Sequence, residues 1–453
     1  MISDATTRKA IPMRFPSLLR QATLAFSFVL LAPALAHAAD EQAPATVADA
    51  LKEAAQQHRP VLVDFSAVWC YSCYYMASHV LTGPEWNAVK HKAIVVESDA
   101  DSPDAQLWMK KLNISFLPSY VVLDANGNEL GRIAAEQPRD KFYARIDAIL
   151  AHGDTLQDFE KQARQGSVDD VANALEAYQA RNDGVAGLGW FASLPAATQK
   201  AARKQPRVTL ALDQLTLLKA SDANNDPAVI RSAQKVLAQN IGCQRPYVLD
   251  NLLEASAKLP EARRKALLAP QRAALDDYVN TQVLVPSPAC ADQRSAVLTS
   301  ADVDKLLGDS AAEKAVLDRA IALTRQHLGT NLASDRNQAD NLRAYLVRAG
   351  RKDELDAVQR QLIAAYPDDY VYAYRYGRSL LDGGNPAEAL PYLNKAADKS
   401  YGANRLAVTL QQVRALKALH KDAEARKLAS DVLAANGPWY PRQAAALKAE
   451  LQS

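Results

Sequence analysis

The chain of 453 residues holds only four cysteines, and neither sign of charge is in excess: 53 Lys and Arg stand against 51 Asp and Glu. A balance this even offers no electrostatic footprint for nucleic acid, and no polybasic block marks a lipid surface. Beyond Ala38 no apolar run is long enough to cross a bilayer, so no membrane span is expected in the mature chain. Gly-rich phosphate loops and nicotinamide or flavin fingerprints are missing, and with them a basis for expecting an organic cofactor. Structural zinc usually takes two Cys pairs, or one pair with closely spaced histidines. Here Cys243 and Cys290 stand singly and His58, His79, His91, His152, His327 and His420 are scattered, so no metal is expected. What the chain does have is apolar residues, 49% of the total, enough for packed cores in two or three domains.

The N-terminus speaks to compartment. Arg8, Lys9, Arg14 and Arg20 precede an apolar run, Ala22 to Ala36, which ends in Ala36-His37-Ala38 before a polar stretch. This is the order of a cleaved secretory signal peptide, residues 1–38. The alternative is an uncleaved anchor, but Pro33 interrupts the run and spanning needs about 20 apolar residues. Cleavage removes four basic residues and Asp4, leaving 49 basic and 50 acidic. The expected location is the periplasm, where disulfides persist.

In an oxidising compartment four cysteines allow three pairings. Cys70 and Cys73 close the run Val63-Asp64-Phe65-Ser66-Ala67-Val68-Trp69-Cys70-Tyr71-Ser72-Cys73. It reads as an apolar strand that delivers two thiols to the start of a helix. Unpaired N–H groups and the positive end of the helix dipole stabilise a thiolate there. Cys73 lies one turn further on the same face, so the pair can close and reopen a small ring. Cys243 and Cys290 then remain as a structural disulfide between helical segments; the alternative is two buried free thiols.

From Thr46 to about Gly153 strand and helix alternate. Val61–Phe65 and Ala93–Val96 read as short buried strands, and Ser102-Pro103-Asp104 caps a helix. Tyr120–Leu123 and Glu129–Ile133 flank the hairpin signal Asp124-Ala125-Asn126-Gly127-Asn128, and Phe142, Ile146 and Leu150 line a final helix. Beyond Gly153 the strand signal ends and only helical periodicity remains. Gly350 and Gly384 stand 34 residues apart, each in a turn followed by an amphipathic helix. Gly377, Gly384, Ala389, Leu393 and Ala396 fall at the spacing of a tetratricopeptide repeat. That resemblance is good over residues 370–403, partial on both sides and weak between 154 and 330; an ordinary helical bundle is the alternative.

The first domain resembles the thioredoxin superfamily. Val63-Asp64-Phe65, Trp69-Cys70 and Cys73 stand where that superfamily has its strand, tryptophan and CxxC, and Phe116-Leu117-Pro118-Ser119 stands at its cis-proline loop. Cys73-Tyr74-Tyr75-Met76, Pro84-Glu85-Trp86 and Asp99-Ala100-Asp101 look more like the C-terminal periplasmic domain of DsbD-type reductant conductors and its soluble relatives. The resemblance implies an exposed Cys70 as attacking thiolate and a more buried Cys73 as resolving thiol. It makes Asp64 a buried carboxylate that moves the proton of Cys73. Trp69, Tyr71, Leu117 and a cis Pro118 would meet the substrate, with the backbone at Pro118 pairing with an extended chain.

Tyr71-Ser72 is neither the Gly-Pro of ordinary thioredoxins nor the histidine-bearing dipeptide of the oxidant branch, so direction is open with a lean to reductase or isomerase. Tyr71, Tyr74 and Tyr75 would make the mouth aromatic, with helix packing preferred for Tyr75; His79 reads as a surface residue.

The expected fold is therefore an α/β thioredoxin-like domain, residues 39–153, followed by an all-α region, 154–330, and repeats similar to the tetratricopeptide family, 331–453. The expected function is a periplasmic thiol–disulfide oxidoreductase, with no cofactor beyond its own disulfide. Its partners would be protein thiols and disulfides, a DsbD-type membrane conductor among the candidates, with a protein held on the helical repeats. The alternative is a repeat-based binding or assembly factor whose thioredoxin-like module turns over little.

Overall fold

The computed structural model describes residues 44–152 and 155–452. The expected signal peptide lies outside the described residues.

The chain enters through α1, Val47–Gln57, whose start is fixed by the Thr46 side chain accepting from Asp49 N. Its Val47, Ala50 and Ala54 are buried at helical spacing. Strand β1, Val61–Ser66, is buried on both faces because it is central. It pairs in parallel with β2, Ile94–Asp99, and antiparallel with β3, Ser119–Leu123. β3 turns back into β4, Glu129–Ala134, giving the order β2-β1-β3-β4. Asp124 holds the hairpin by accepting from the backbone N–H groups of Asn126 and Asn128, both at 2.8 Å. β2 runs past Val96 through three polar-flanked positions, because pairing with β1 continues to Ser66 opposite Asp99.

The strand period of two sorts β1 between two cores. Val61, Val63 and Phe65 join α1 and Ala105 of α4, Pro103–Lys111. Leu62 joins Met76, Val80, Trp86 of α3, Gly83–Lys92, and Phe142 and Ile146 of α5, Arg139–His152. Asp64, two residues after Leu62, therefore projects to the side that carries the cysteine helix. That helix, α2, is Tyr71–Tyr75 and continues as one π-helical turn, Met76–Val80.

From Leu156 onward the described residues contain no strand, and helix follows helix to Gln452. One core runs from Phe159 to Leu215, and a larger one runs continuously from Leu217 to Val408 and so crosses position 330. The helices Tyr370–Asp382 and Pro386–Lys399 pack so closely that a Cβ on Gly377 would lie 2.8 Å from Leu393 Cγ. Ala389, Leu393 and Ala396 are all buried in this pairing. Asp292, Asp335 and Asp369 each accept a backbone N–H at a helix start.

Cys243 and Cys290 are bonded, tying the turn before the helix Arg245–Ala255 to the segment before the helix Gln293–Leu307. Closing a loop of this length restricts the unfolded chain, typically for about 2–4 kcal/mol. The double variant Cys243→Ala, Cys290→Ala should lose about 2–3 kcal/mol in urea unfolding; an unchanged midpoint would show that the bond contributes nothing.

Candidate active site

Cys70 caps the start of α2 and is bonded to Cys73, with Cα atoms 5.2 Å apart. The Cys73 N–H donates to Cys70 Sγ at 3.1 Å, so the sulfur receives one of the orphan donors of the helix start. Cys70 N–H donates back to the Ala67 carbonyl at 3.0 Å, which tightens the loop ahead of it. Trp69 hangs over this loop at 40% exposure, its Nε1 donating to Asp101 Oδ2 at 2.8 Å.

The expectation of an exposed Cys70 and a more buried Cys73 is not met: they are 6% and 8% exposed. Ala67, Ala100, Met109 and Leu117 pack around both. The Leu117–Pro118 bond is cis, and Ser119 Oγ donates to the Phe116 carbonyl at 2.9 Å to hold the loop. The Pro118 carbonyl already accepts from Ala135 N at 3.0 Å, and proline has no N–H, so Leu117 supplies the freer backbone here.

Asp64 is 6% exposed and its Oδ1 has no partner among the described residues. Its neighbours in register are Glu97 on β2 and Tyr120 on β3. Burial, helped by the charge of Glu97, pushes its carboxyl up to about 7.

What surrounds α2 is the chain's own helical region. Arg336 stacks on Tyr74 at 3.9 Å, donates to the Tyr74 hydroxyl at 3.0 Å and the Val68 carbonyl at 3.3 Å, and pairs with Asp369. Arg375 donates to the Trp69 carbonyl at 3.3 Å and Asn337 to the Tyr71 carbonyl at 3.0 Å. Three carbonyls flanking Cys70, two in the loop before it and one at the start of α2, are thus held by one helical surface.

Arg294 lies 3.9 Å over the Tyr71 ring, whose hydroxyl donates to Asp292 at 3.2 Å. Beneath them Asp340, fully buried, meets Arg294 at 2.5 Å, Arg375 at 2.6 Å and Arg343 at 2.9 Å. Burial alone would raise its carboxyl, but Arg343, Arg294 and Arg375 outweigh that and hold it far below the usual range. Tyr71 and Tyr74 therefore do not form an open aromatic mouth; they dock the helical region. His79 is likewise no free surface residue, since its Nε2 lies 2.8 Å from Asp335. Tyr75 stacks on His79 as helix packing.

A second contact carries a proton count. The Tyr247 hydroxyl lies 2.5 Å from Glu136 Oε1 and 2.8 Å from Asp292 Oδ2. One phenolic hydrogen serves one of these acceptors, so both contacts are hydrogen bonds only when a carboxyl supplies another. Burial and the charge of Asp292 push the Glu136 carboxyl up.

Sequence reading missed Arg294, Arg336, Asn337, Arg375, Asp292, Glu136 and Tyr247. A usable signal existed in Asp292-Gln293-Arg294 and Asp335-Arg336-Asn337, where a capping aspartate brings a cation to the first turn. Among the described residues no helix is long and apolar enough to cross a membrane, and no group of three His, Cys, Asp or Glu is placed to hold a metal.

Residues 47–150 match the thioredoxin-like domain family. The thiol:disulfide interchange protein DsbD of Cronobacter sakazakii is 33% identical over 94 residues, covering 20% of this chain and 16% of that one. The thiol:disulfide interchange protein TxlA of Synechococcus elongatus is 28% identical over 122 residues, 26% of this chain and 58% of that one. A tetratricopeptide repeat protein from Parabacteroides merdae overlays 63% of this chain and 97% of its own, at 12% identity and a TM-score of 0.40. The chain thus spans less than two thirds of the length of each of these curated relatives. Its α/β part, with a disulfide at the start of α2 and a cis proline before β3, is a thioredoxin-like domain.

Proposed function

We propose that the chain is a thiol–disulfide oxidoreductase that exchanges disulfides with protein partners in the periplasm, acting as a reductase or isomerase. The observation that carries this is the Cys70–Cys73 bond at the cap of α2, on the side of the sheet to which Asp64, with its Oδ1 unpartnered, projects.

In the reduced chain the Cys70 thiolate attacks one sulfur of a client disulfide, forming a mixed disulfide and releasing one client thiolate. Asp64, ionised, takes the proton of Cys73; the Cys73 thiolate then attacks Cys70 Sγ. The second client thiolate leaves, the Cys70–Cys73 bond is restored, and two electrons have passed to the client. A dithiol donor, a DsbD-type conductor among the candidates, would reduce the pair again. The lack of a histidine in Tyr71-Ser72 supports the reductive direction.

A second reading, a binding or assembly factor with slow exchange, draws support from the grip of Arg336, Asn337 and Arg375 on the loop carbonyls. The two differ in turnover. The protein with excess dithiothreitol should accelerate insulin reduction well beyond dithiothreitol alone, and equilibration with glutathione should give a potential nearer thioredoxin, about −270 mV, than DsbA, about −120 mV. No acceleration would favour the assembly factor, and a potential near DsbA would reverse the direction.

A further inference from the structure

We infer that a cleft beside Trp69, built jointly by the thioredoxin-like domain and two helices of the helical region, receives an apolar or aromatic side chain of the client next to its reacting cysteine. This rests on the oxidoreductase reading and names what the site selects. One wall is the Trp69 indole; the others are Tyr370, Tyr374 and Arg375 of the helix Tyr370–Asp382 and Asn404 and Val408 of the helix Gly402–Ala418. Its volume is about 220 Å³. A cavity of about 150 Å³ already holds benzene, so one aromatic side chain fits with room for its attachment.

Place and chemistry fix the occupant. Consecutive Cα atoms are about 3.8 Å apart, so a chain in mixed disulfide with Cys70 passes within a residue or two of Trp69. The carbonyls of Val68, Trp69 and Tyr71 are already taken by Arg336, Arg375 and Asn337, which closes that flank to a client backbone. The half-exposed indole and the Leu117 backbone remain. The cleft itself carries little spare charge, because Arg375 places one terminal nitrogen on Asp340 at 2.6 Å and the other on the Trp69 carbonyl at 3.3 Å. Apart from Arg375 and the Asn404 amide, its walls are aromatic and aliphatic. The Tyr370 hydroxyl is buried away from the cleft opening and has no hydrogen-bond partner among the described residues, so this wall offers the client its ring. Gly402 keeps the two parts in contact: its φ is +56°, and a Cβ there would lie 2.7 Å from the Asp101 carbonyl.

The test uses the full reduced chain and mixed disulfides of thionitrobenzoate with Ac-Gly-Cys-Gly-NH2 or Ac-Phe-Cys-Phe-NH2. Burial of one phenyl ring should favour the Phe peptide at least about tenfold in kcat/KM, mainly through KM. Tyr374→Ala, which removes a wall, and Ala407→Leu, which fills the cleft, should each bring the Phe-to-Gly ratio close to one. Equal rates in the wild type, or a preference that survives both variants, would overturn the inference. Redox-inert Ac-Phe-Ser-Phe-NH2 should bind the oxidised chain in equilibrium dialysis and bind Ala407→Leu at least about tenfold more weakly. Such binding without exchange with any peptide would sink the oxidoreductase reading alone; no binding sinks the cleft. A cleft filled by a second copy of the chain would show as a dimer that Ala407→Leu dissociates, and this too overturns it.

Discussion

Cys73→Ser should turn the chain into a trap, accumulating thiol-reversible complexes with proteins it exchanges with, while Cys70→Ser should abolish exchange, with a loss on the order of a thousandfold or more. The asymmetry follows from position. Cys70 caps α2, where its sulfur receives the Cys73 N–H, and a thiolate formed there keeps that donor. A serine hydroxyl at 70 keeps the cap but is no nucleophile toward a disulfide at neutral pH. With serine at 73 the first attack still occurs and nothing resolves it. Non-reducing gels of the two variants, each with and without dithiothreitol, read both halves. Complexes through Cys73 in the Cys70→Ser variant would exchange the two roles, and none in either variant would leave the slow-exchange assembly factor as the better reading. The 6% exposure of Cys70 adds a condition: partners caught this way must enter by the Trp69 side, because the Tyr71 side is occupied by Arg294 and Asn337.

The strand that leads to Cys70 was readable because its information is local. The short apolar run Val61–Phe65 reads as a buried strand, Asp124 through Asn128 can only turn, and Gly377 with Leu393 needs only one pair of neighbouring helices. The clasp on α2 was not readable, because it joins residues more than 200 positions apart. Arg336 through Arg343 is almost wholly polar and has the composition of a solvated helix face, yet Asn337, Asp340 and Asn341 are buried. Asp335-Arg336-Asn337 marks a capped helix start with a cation, but it does not say that Tyr71 and Tyr74 are what cover it. Burial of Cys70 was missed because it too depends on contacts beyond its own segment, here within the α/β domain. A helix start predicts the cap and the dipole; neighbours such as Ala100 and Leu117 decide how much sulfur faces water.

Asp64→Asn should be more stable than the wild type by about 4 kcal/mol above pH 7 and no more stable near pH 4, while losing the rate of resolution. The sign follows from the raised carboxyl. In the unfolded chain Asp64 ionises near 3.9, and in the oxidised folded chain near 7. The folded state therefore holds a proton that the unfolded state has released. Its advantage is complete below about pH 4 and is lost steadily as pH rises to 7. Each pKa unit corresponds to about 1.4 kcal/mol, so three units give about 4, and a neutral amide does not bear that penalty. Urea midpoints of the oxidised proteins at pH 4, 5.5, 7 and 9 measure the divergence; curves that stay parallel would place Asp64 in an ordinary, solvated ionisation. Catalysis should move the other way. Only ionised Asp64 can take the proton of Cys73, so release of a mixed disulfide should rise through pH 7 in the wild type. In Asp64→Asn that limb should vanish, leaving a rate lower by about a hundredfold at pH 7 that climbs only toward the free thiol pKa near 8.5. On the proposed mechanism the stability that Asp64 forfeits is offset by the proton it moves, and unchanged resolution in Asp64→Asn would leave the buried carboxyl without a role in exchange.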